Sequence, residues 1–185
     1  MPVTEFQEKR YVFGACAGAV LYRRSMIDEI GFFDERFFAL GEDLDLSFRA
    51  RLAGYKCLYV PGAIVYHKIG RTVGQNSNFL LYHSRRNVEY TYFKNMPFPL
   101  IIATLPLHII YNLLTFYQAL LQKRIAVFIK AKKDFIKNFK KIYKLRKKIQ
   151  EKRNISLNEL FLSFSNHYLC RKVFLNLEKF ILKRN

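Results

Sequence analysis

The chain of 185 residues contains no tryptophan, only three cysteines, and only 14 acidic residues against 32 Lys and Arg. Cys16, Cys57 and Cys170 are an odd number at wide spacings, with neither a CxxC pair nor a zinc-binding pattern among them. We therefore expect a reducing compartment and packing roles for the thiols. The first ten residues contain no apolar run, so no signal peptide is expected. No internal repeat is visible.

The shortage of acids gives a formal net charge of +18. Such an excess indicates an anionic partner, either the phosphates of nucleic acid or the head groups of a membrane leaflet. Composition alone leaves both open. Aromatic residues make up 16% of the chain, which is typical of a membrane interface or a large apolar core and not of a disordered tail.

Apolar runs before residue 96 are short and interrupted by glycine, as in an α/β domain. The patterns predict strands over residues 11–22, 55–60 and 63–67, and helices over residues 23–30, 42–53 and 79–95. The helix over 42–53 should be amphipathic, with Leu44, Phe48 and Leu52 on one face and Gly54 just past its end.

Residues 95–122 carry no charged side chain and are long enough to cross a bilayer. One helical face is polar, and it comprises Thr104, His108, Asn112, Thr115 and Gln118. Three prolines, at 97, 99 and 106, should interrupt the beginning of the segment. Both flanks are basic, which disfavours a single span. We expect a re-entrant or in-plane helical hairpin with its polar stripe toward protein or head groups, and a spanning helix is the alternative.

Residues 123–153 hold 14 Lys and Arg against two acids, a local net charge of +12. Ile and Phe recur among them at helical spacing, which predicts a basic amphipathic helix on an anionic membrane surface. A nucleic-acid-binding arm is the alternative, but it would not need the apolar face, so no nucleic-acid partner is predicted. Residues 155–182 form a further amphipathic segment, opened by Ser156 as N-cap with Glu159 three residues later.

Residues 31–67 read GFFDERFFALGEDLDLSFRARLAGYKCLYVPGAIVYH. The order G-F-F-D-E-x-F-F, E-D-x-D-L-x-x-R, A-G-Y and P-x-A-x-V-x-H resembles bacterial family 2 glycosyltransferases, inverting enzymes of the GT-A type. It is most similar to the rhamnosyltransferase-like enzymes that build O-antigen and other surface polysaccharides. The resemblance continues upstream through Gly14-Ala15-Cys16 and Arg23-Arg24 and downstream to Arg86-Asn87. It covers about residues 12 to 95.

Inverting glycosyl transfer needs a carboxylate that takes a proton from the acceptor hydroxyl as this oxygen attacks the anomeric carbon. An Asp at the start of a helix, after an aromatic-rich turn, is well placed for this. The resemblance implies that Asp43 is the base and that Glu42 contacts the acceptor. Phe38 belongs to an aromatic group that could form a wall beside the acceptor or pack in the core. Alternatively, the acids only favour the positive end of the helix dipole.

The resemblance also implies that His67 binds the divalent metal, Mn²⁺ or Mg²⁺, that holds the donor diphosphate. Arg71, in a Gly-rich loop over residues 70–77, could contact the diphosphate, or the loop could be a plain connector. Asp34, Asp45 and Arg49 are expected to play supporting roles, and the last two could pair with neighbouring charges.

Relatives of this type have a nucleotide-binding half ending in a D-x-D metal motif, and nothing before Tyr11 can supply it. The string Asp43-Leu44-Asp45 belongs to the base motif. We therefore expect the C-terminal half of an α/β GT-A nucleotide-diphospho-sugar transferase domain (residues 1–95), an apolar membrane-inserted or in-plane helical segment (96–122) and a basic amphipathic tail (123–185).

Such a fragment should be inactive alone, sharing its metal with the missing motif, and a separate chain could carry the other half. The expected partners are a nucleotide-sugar donor and a saccharide or lipid-linked acceptor. The expected location is the cytoplasmic face of the inner (plasma) membrane, with peripheral or monotopic attachment. A non-catalytic membrane- or nucleic-acid-binding protein is the alternative function.

Overall fold

A computed structural model of the chain describes residues 7–66 and 77–165. These residues form two short strands, six α-helices and one 3₁₀ turn. In chain order they are β1 (Arg10–Val12), α1 (Arg24–Ile30), the 3₁₀ turn (Glu35–Phe37), α2 (Glu42–Leu52), β2 (Cys57–Tyr59), α3 (Asn78–Asn95), α4 (Phe98–Leu121), α5 (Ile125–Glu151) and α6 (Leu157–Ser165).

The described residues are mostly helical, whereas the sequence predicts an α/β domain. β1 and β2 pair antiparallel, with Tyr11 opposite Leu58, and form a two-stranded ribbon. The prediction of a strand over residues 11–22 is wrong beyond Val12, because the chain that follows packs across α2: Gly14 lies directly against Ser47. Residues 63–66 are not a strand either, and residue 67 lies outside the described residues.

The helices of the first half agree with their predictions to within two residues. α1 ends at Gly31, whose φ of 79° lets its N–H reach the carbonyl of Ile27. α2 begins after Gly41, at φ 89°, and Gly54 follows its end at φ 92°. Phe48 and Leu52 are buried on α2 as predicted, but Leu44 is exposed and Leu46 is buried in its place.

The prediction of a hairpin within residues 95–122 is wrong, because α4 is one continuous helix through Pro106. Pro99 lies in the first turn of α4, where a missing N–H costs no hydrogen bond. By length and composition α4 could cross a membrane, with a mean hydropathy of 1.6, a property it shares with core helices of soluble proteins. Its membrane placement stays a prediction.

The polar stripe of α4 faces protein, as predicted. The hydroxyls of Thr104 and Tyr92 are 3.0 Å apart, and His108 Nε2 lies 2.9 Å from Oε2 of Glu89. Arg85 donates to Gln118 Oε1 over 3.0 Å. The other side of α4 is a broad exposed apolar surface, formed by Phe98, Ile102, Leu105, Ile109, Leu113, Phe116, Leu120 and Leu121.

Helix α5 packs along α3, and α6 closes the main core. Arg146 of α5 donates to the carbonyls of Phe93 and Met96, at 3.0 and 2.5 Å. Ser156 caps α6 as predicted, since its hydroxyl accepts the N–H of Glu159. The core combines side chains from α2, α3, α4 and the C-terminal region: Phe48, Leu52, Tyr92, Met96, Leu100, Ile155, Leu160 and Phe164. The N–H of Asn154 also donates to the carbonyl of Leu52 over 2.8 Å.

Candidate active site

Asp43 lies in the first turn of α2 and joins two stretches of the motif region. Its Oδ1 accepts the N–H of Leu44 at 2.7 Å, and its Oδ2 accepts the N–H of Ala17 at 3.2 Å. Ala17 belongs to the irregular segment between β1 and α1. Each carboxylate oxygen can accept more than one hydrogen bond, so the side chain retains capacity for a ligand.

The segment over residues 14–17 reaches Asp43 because its backbone packs directly against α2. A Cβ on Gly14 would lie 2.3 Å from Cβ of Ser47, a distance that real Cβ atoms do not show. The N–H of Ala15 donates to the Ser47 hydroxyl over 3.3 Å. Glycine at position 14 therefore permits the close approach that brings the Ala17 N–H to the candidate base.

Beside Asp43, two polar atoms are buried without a hydrogen-bond partner among the described residues. They are Oε2 of Glu42 and the hydroxyl of Tyr22. Burial raises the pKa of Tyr22, and the negative charge of Asp43 raises it further, so the phenol keeps its proton. Buried polar atoms without partners are uncommon in folded proteins. One acceptor and one donor are therefore unsatisfied here, and a small movement of either side chain would let it meet a polar ligand. Tyr22 is absent from the sequence-based candidates.

The turn before α2 buries one phenylalanine and exposes the next. Phe37 is fully buried against Tyr90, whereas the side chain of Phe38 is 76% exposed. Phe38 and Leu40 have positive φ angles of 60° and 69°, which residues with a Cβ rarely adopt. Such strain persists only where surrounding contacts impose it.

Arg86 and Asn87 of α3 supply those contacts. The side-chain amide of Asn87 donates to the carbonyls of Phe37, Ala39 and Leu40 at 2.9, 2.8 and 2.7 Å. Arg86 Nη2 donates to the carbonyl of Phe37 at 3.1 Å and to that of the preceding residue at 2.9 Å. The Arg86-Asn87 pair, which carries part of the resemblance, thus holds the turn that displays Phe38.

The predicted supporting acids belong to a buried ion-pair network. Asp45 pairs with Arg49 at 3.0 Å, as expected, and with Lys94 of α3 at 2.7 Å. Lys94 also lies 2.6 Å from Oδ2 of Asp34. Burial alone would raise the pKa of Asp34, but the charge and hydrogen bond of Lys94, with help from Arg36, hold it below its usual range.

Arg49 fastens the preceding turn to α2. Its guanidinium donates to the carbonyls of Ile30, Gly31 and Phe32 at 2.7, 3.0 and 2.6 Å. Asp34, Asp45 and Arg49 therefore connect the turn to α2, and their supporting role in a reaction stays a prediction. Lys94, which completes their network, was not predicted, because it lies 49 residues beyond Asp45 in an apparently ordinary helix.

Two predicted donor-site residues, His67 and Arg71, lie outside the described residues, so their roles stay predictions. Within residues 7–66 and 77–165, no group of three or more His, Cys, Asp or Glu side chains could hold a metal ion. The oxygens of Asp43 already accept backbone N–H groups, and Asp45 is enclosed by cations. The described residues therefore do not fit a divalent metal.

Comparison with known proteins finds the same family that the motifs in residues 31–67 resemble. Residues 5–131 match the family described as "Glycosyl transferase family group 2". Two curated relatives, from Mycobacterium tuberculosis strains CDC 1551 / Oshkosh and ATCC 25618 / H37Rv, are both named N-acetylglucosaminyl-diphospho-decaprenol L-rhamnosyltransferase. Each is 39% identical over 66 residues, which are 36% of this chain and 20% of the relative. The matched stretch thus spans a fifth of the length of these relatives. No solved structure matches the chain.

The family match extends over more than half of the chain and includes the whole of α2 and α3. Within it lie the first-turn carboxylates of α2, the turn that displays Phe38, and the α3 residues that hold this turn. The chain therefore belongs to glycosyl transferase family group 2.

Proposed function

We propose that the chain takes part in inverting transfer of a hexose or deoxyhexose from a nucleotide-activated donor to a saccharide in cell-surface polysaccharide synthesis. The observation that carries the proposal is the position of Asp43. Its carboxylate lies in the first turn of α2, is fixed by two backbone N–H groups, and stands beside the unpartnered polar atoms of Glu42 and Tyr22.

In the proposed reaction, Asp43 takes the proton of the acceptor hydroxyl while this oxygen forms a bond to the anomeric carbon of the donor. The bond between the anomeric carbon and the diphosphate breaks, and its electron pair leaves with the nucleoside diphosphate. Attack from the face opposite the leaving group inverts the anomeric centre. Glu42 accepts a hydrogen bond from another acceptor hydroxyl, and Tyr22 donates one to a sugar oxygen.

A lipid-linked acceptor is supported by the apolar surface of α4 and by the relatives' name, which contains a saccharide joined through diphosphate to decaprenol. Next to α4, α5 exposes Ile129, Ile136, Phe139 and Tyr143 among its lysines. Apolar side chains interleaved with cations suit the boundary between head groups and acyl chains of an anionic leaflet. We place this surface on the cytoplasmic face of the inner membrane, where nucleotide sugars are available.

An in-plane α4 fits the contacts better than a spanning one. Its stripe hydrogen-bonds Arg85 and Glu89 of α3, and Glu89 also pairs with Lys132 of α5. If α4 crossed the bilayer, these charged groups would be drawn into the hydrocarbon at a cost of about 2.5–3.5 kcal/mol or more each. With α4 in the plane, the charges stay on its protein side and the apolar face meets the lipid.

The donor site is proposed to need polypeptide beyond the residues described, within a longer chain or in a separate one, and its divalent metal would be held there together with His67. Calorimetric titration with UDP, GDP and dTDP, with and without Mn²⁺, tests this. We expect no binding to residues 1–185 alone. Metal-dependent binding that His67→Ala removes would show that the donor site lies within these residues.

The proposed reaction is tested by Asp43→Asn in a transfer assay that combines the chain with nucleotide-activated sugars and with membranes of source cells from which the wild-type chain has been deleted. Loss of the base should lower transfer by about 10²–10⁴-fold without changing the unfolding transition. Asp28→Asn, which alters an exposed Arg24 ion pair, is the control. Undiminished transfer by Asp43→Asn would exclude the proposed base.

Membrane association is tested by flotation with vesicles of phosphatidylglycerol or phosphatidylcholine. We expect flotation with the anionic vesicles only, weakening in high salt, and its loss in the double variant Ile136→Glu/Phe139→Glu. Binding to duplex DNA in detergent, without flotation, would favour the nucleic-acid-binding alternative instead.

A further inference from the structure

A cluster of three aromatic rings lies at the turn before α2, with one ring exposed, one half-buried and one buried. It consists of Phe38 from the turn before α2 and Phe79 and His83 from the first half of α3, and we name it the aromatic platform. The ring centroids of Phe38 and His83 are 5.4 Å apart at an interplanar angle of 27°. Phe79 lies 4.3 Å from His83 and 6.1 Å from Phe38.

The platform is held in place by its surroundings. The backbone of Phe38 has a φ of 60°. Arg86 and Asn87 hold it there by donating hydrogen bonds to the carbonyls of Phe37 and Ala39, and the ring stays exposed. Arg86 Nη2 also lies 3.2 Å from Nδ1 of His83, which ties the imidazole to the same guanidinium. An exposed phenylalanine held in a strained backbone conformation is typical of functional sites, which indicates a ligand role.

The platform lies within reach of the proposed base. Phe38 is four residues before Glu42, and a chain spans at most about 3.3–3.6 Å per residue. The Cα atoms of Phe38 and Glu42 are therefore no more than about 14 Å apart, which corresponds to a short oligosaccharide. A pyranose ring presents a face of C–H groups, and aromatic side chains that line ligand sites contact such apolar faces while polar groups meet the hydroxyls.

Building on the proposed function, we propose that the aromatic platform binds the acceptor saccharide, with a pyranose ring stacked on Phe38 and Phe79 above the buried ring of His83. Neither Phe79 nor His83 has been assigned a role by the sequence motifs. The platform holds the acceptor ring so that the neighbouring hydroxyl points to Asp43. Its residues therefore determine acceptor affinity and take no part in proton transfer.

The absence of tryptophan from the chain allows a direct binding test. In Phe38→Trp the only indole reports on the platform, and the full chain is titrated with methyl N-acetyl-β-D-glucosaminide and methyl α-L-rhamnoside. We expect a saturable change in emission with at least one glycoside, weakened by about three- to tenfold in affinity when Phe79→Leu is added. Tyr11→Trp, on the exposed face of β1, is the control and should not respond.

Two results would overturn the inference: the absence of any saturable response in Phe38→Trp, or equal responses in Phe38→Trp and Tyr11→Trp. Circular dichroism of each variant establishes that it is folded. Wild-type chain observed by saturation-transfer NMR supplies a second measurement, since the ring protons of a bound glycoside should receive saturation that Phe79→Leu abolishes.

The transfer assay separates this inference from the proposed function. Phe79→Leu should raise KM for the acceptor with little change in kcat, whereas Asp43→Asn should lower kcat. If Asp43→Asn stops transfer and Phe79→Leu leaves KM unchanged, the platform is wrong and the proposed base stands. If the wild-type assay shows no transfer, the proposed function fails, and the glycoside titration still decides whether the platform binds sugar.

Discussion

The ammonium nitrogen of Lys94 lies 2.7 Å from Oδ1 of Asp45, and both side chains are almost completely buried. The same nitrogen is 2.6 Å from Asp34, so one cation joins α2, α3 and the turn between α1 and α2. Because Asp45 follows Asp43 by two residues, this contact fixes the helix that carries the candidate base.

Replacement of Lys94 by methionine should destabilise the chain strongly. It leaves Asp34 and Asp45 buried with one cation fewer, and loss of one member of a buried ion pair costs about 3–5 kcal/mol. Urea unfolding followed by circular dichroism measures the change. Lys144→Met, at an exposed position of α5, is the matched control and should stay within about 0.5 kcal/mol of wild type.

A second variant distinguishes charge from packing. Adding Asp34→Asn to Lys94→Met removes one of the two stranded carboxylates, so part of the lost stability should return. If the double variant is no more stable than Lys94→Met, the effect comes from the volume and packing of the lysine and the ion-pair explanation is wrong.

Asn87→Ala should loosen the turn that displays Phe38. The carbonyls of Ala39 and Leu40 lose their side-chain donor, and that of Phe37 keeps only Arg86, so we expect the free energy of unfolding to fall by about 2 kcal/mol. Asn87→Asp keeps the shape but places a negative charge against the same carbonyls, so it should be worse than alanine. Equal stability of the two variants would contradict the assigned hydrogen bonds. Chemical denaturation gives the ranking.

Gly14→Ala should displace the segment that donates to Asp43, because the new methyl group would meet Cβ of Ser47 at 2.3 Å. Overpacking of this kind costs about 1–3 kcal/mol. Ser47→Gly removes the opposing atoms, so the double variant should recover stability relative to Gly14→Ala despite the cost of glycine in a helix. Gly62→Ala, which meets nothing within 4 Å, is the control and should be tolerated. Thermal unfolding of the four variants measures this.

Stability should fall steadily as the pH is lowered from 7 to 4. Burial raises the pKa of Glu89, but hydrogen bonding with His108 and the charge of Lys132 outweigh it, so its pKa is lowered, as is that of Asp34. Burial and the charge of Arg86 lower the pKa of His83, against a hydrogen bond to the Phe37 carbonyl that raises it.

All three shifts act in one direction, because the unfolded chain takes up protons at a higher pH than the folded one. His83 contributes as the pH falls below about 6.5, and the two acids contribute below about 5. Urea unfolding at intervals of half a pH unit checks this. His83→Gln should flatten the profile above pH 5, and Asp34→Asn should flatten it below; profiles parallel to wild type would contradict the assignment.

The helices were predictable because their signals are local. Apolar spacing and first-turn acids lie within α2 itself, and glycines flank it. The polar stripe of α4 was expected to face protein or head groups, and in the structure it meets α3. The strands were not predictable in the same way. An apolar stretch such as residues 11–22 has the composition of a strand. Beyond Val12, however, the chain packs on α2 through the close contact of Gly14 with Ser47, and the local sequence gives no sign of that contact.

The residues of the candidate site that belong to the motif could be named from the sequence. The residues that distant segments of the chain contribute could not. Asp43 and Glu42 follow from the motif, yet which phenylalanine of the pair at 37 and 38 is exposed depends on hydrogen bonds from Arg86 and Asn87. Lys94 and the platform residues of α3 carry no local signal, since a lysine or a phenylalanine in a helix is ordinary. The ion pairs of Lys94 and the proposed role of the platform both depend on the packing of α3 against the turn before α2.

The core that α2 shares with the C-terminal region limits how the protein can be shortened. The basic C-terminal region invites deletion to improve solubility, but Ile155, Leu160 and Phe164 cover Phe48 and Leu52 of α2, and the N–H of Asn154 occupies the carbonyl of Leu52. A product shortened at residue 122 would expose the underside of the helix that carries Asp43. Detergent, or charge substitutions on the outer face of α5, should improve solubility while keeping these core residues in place.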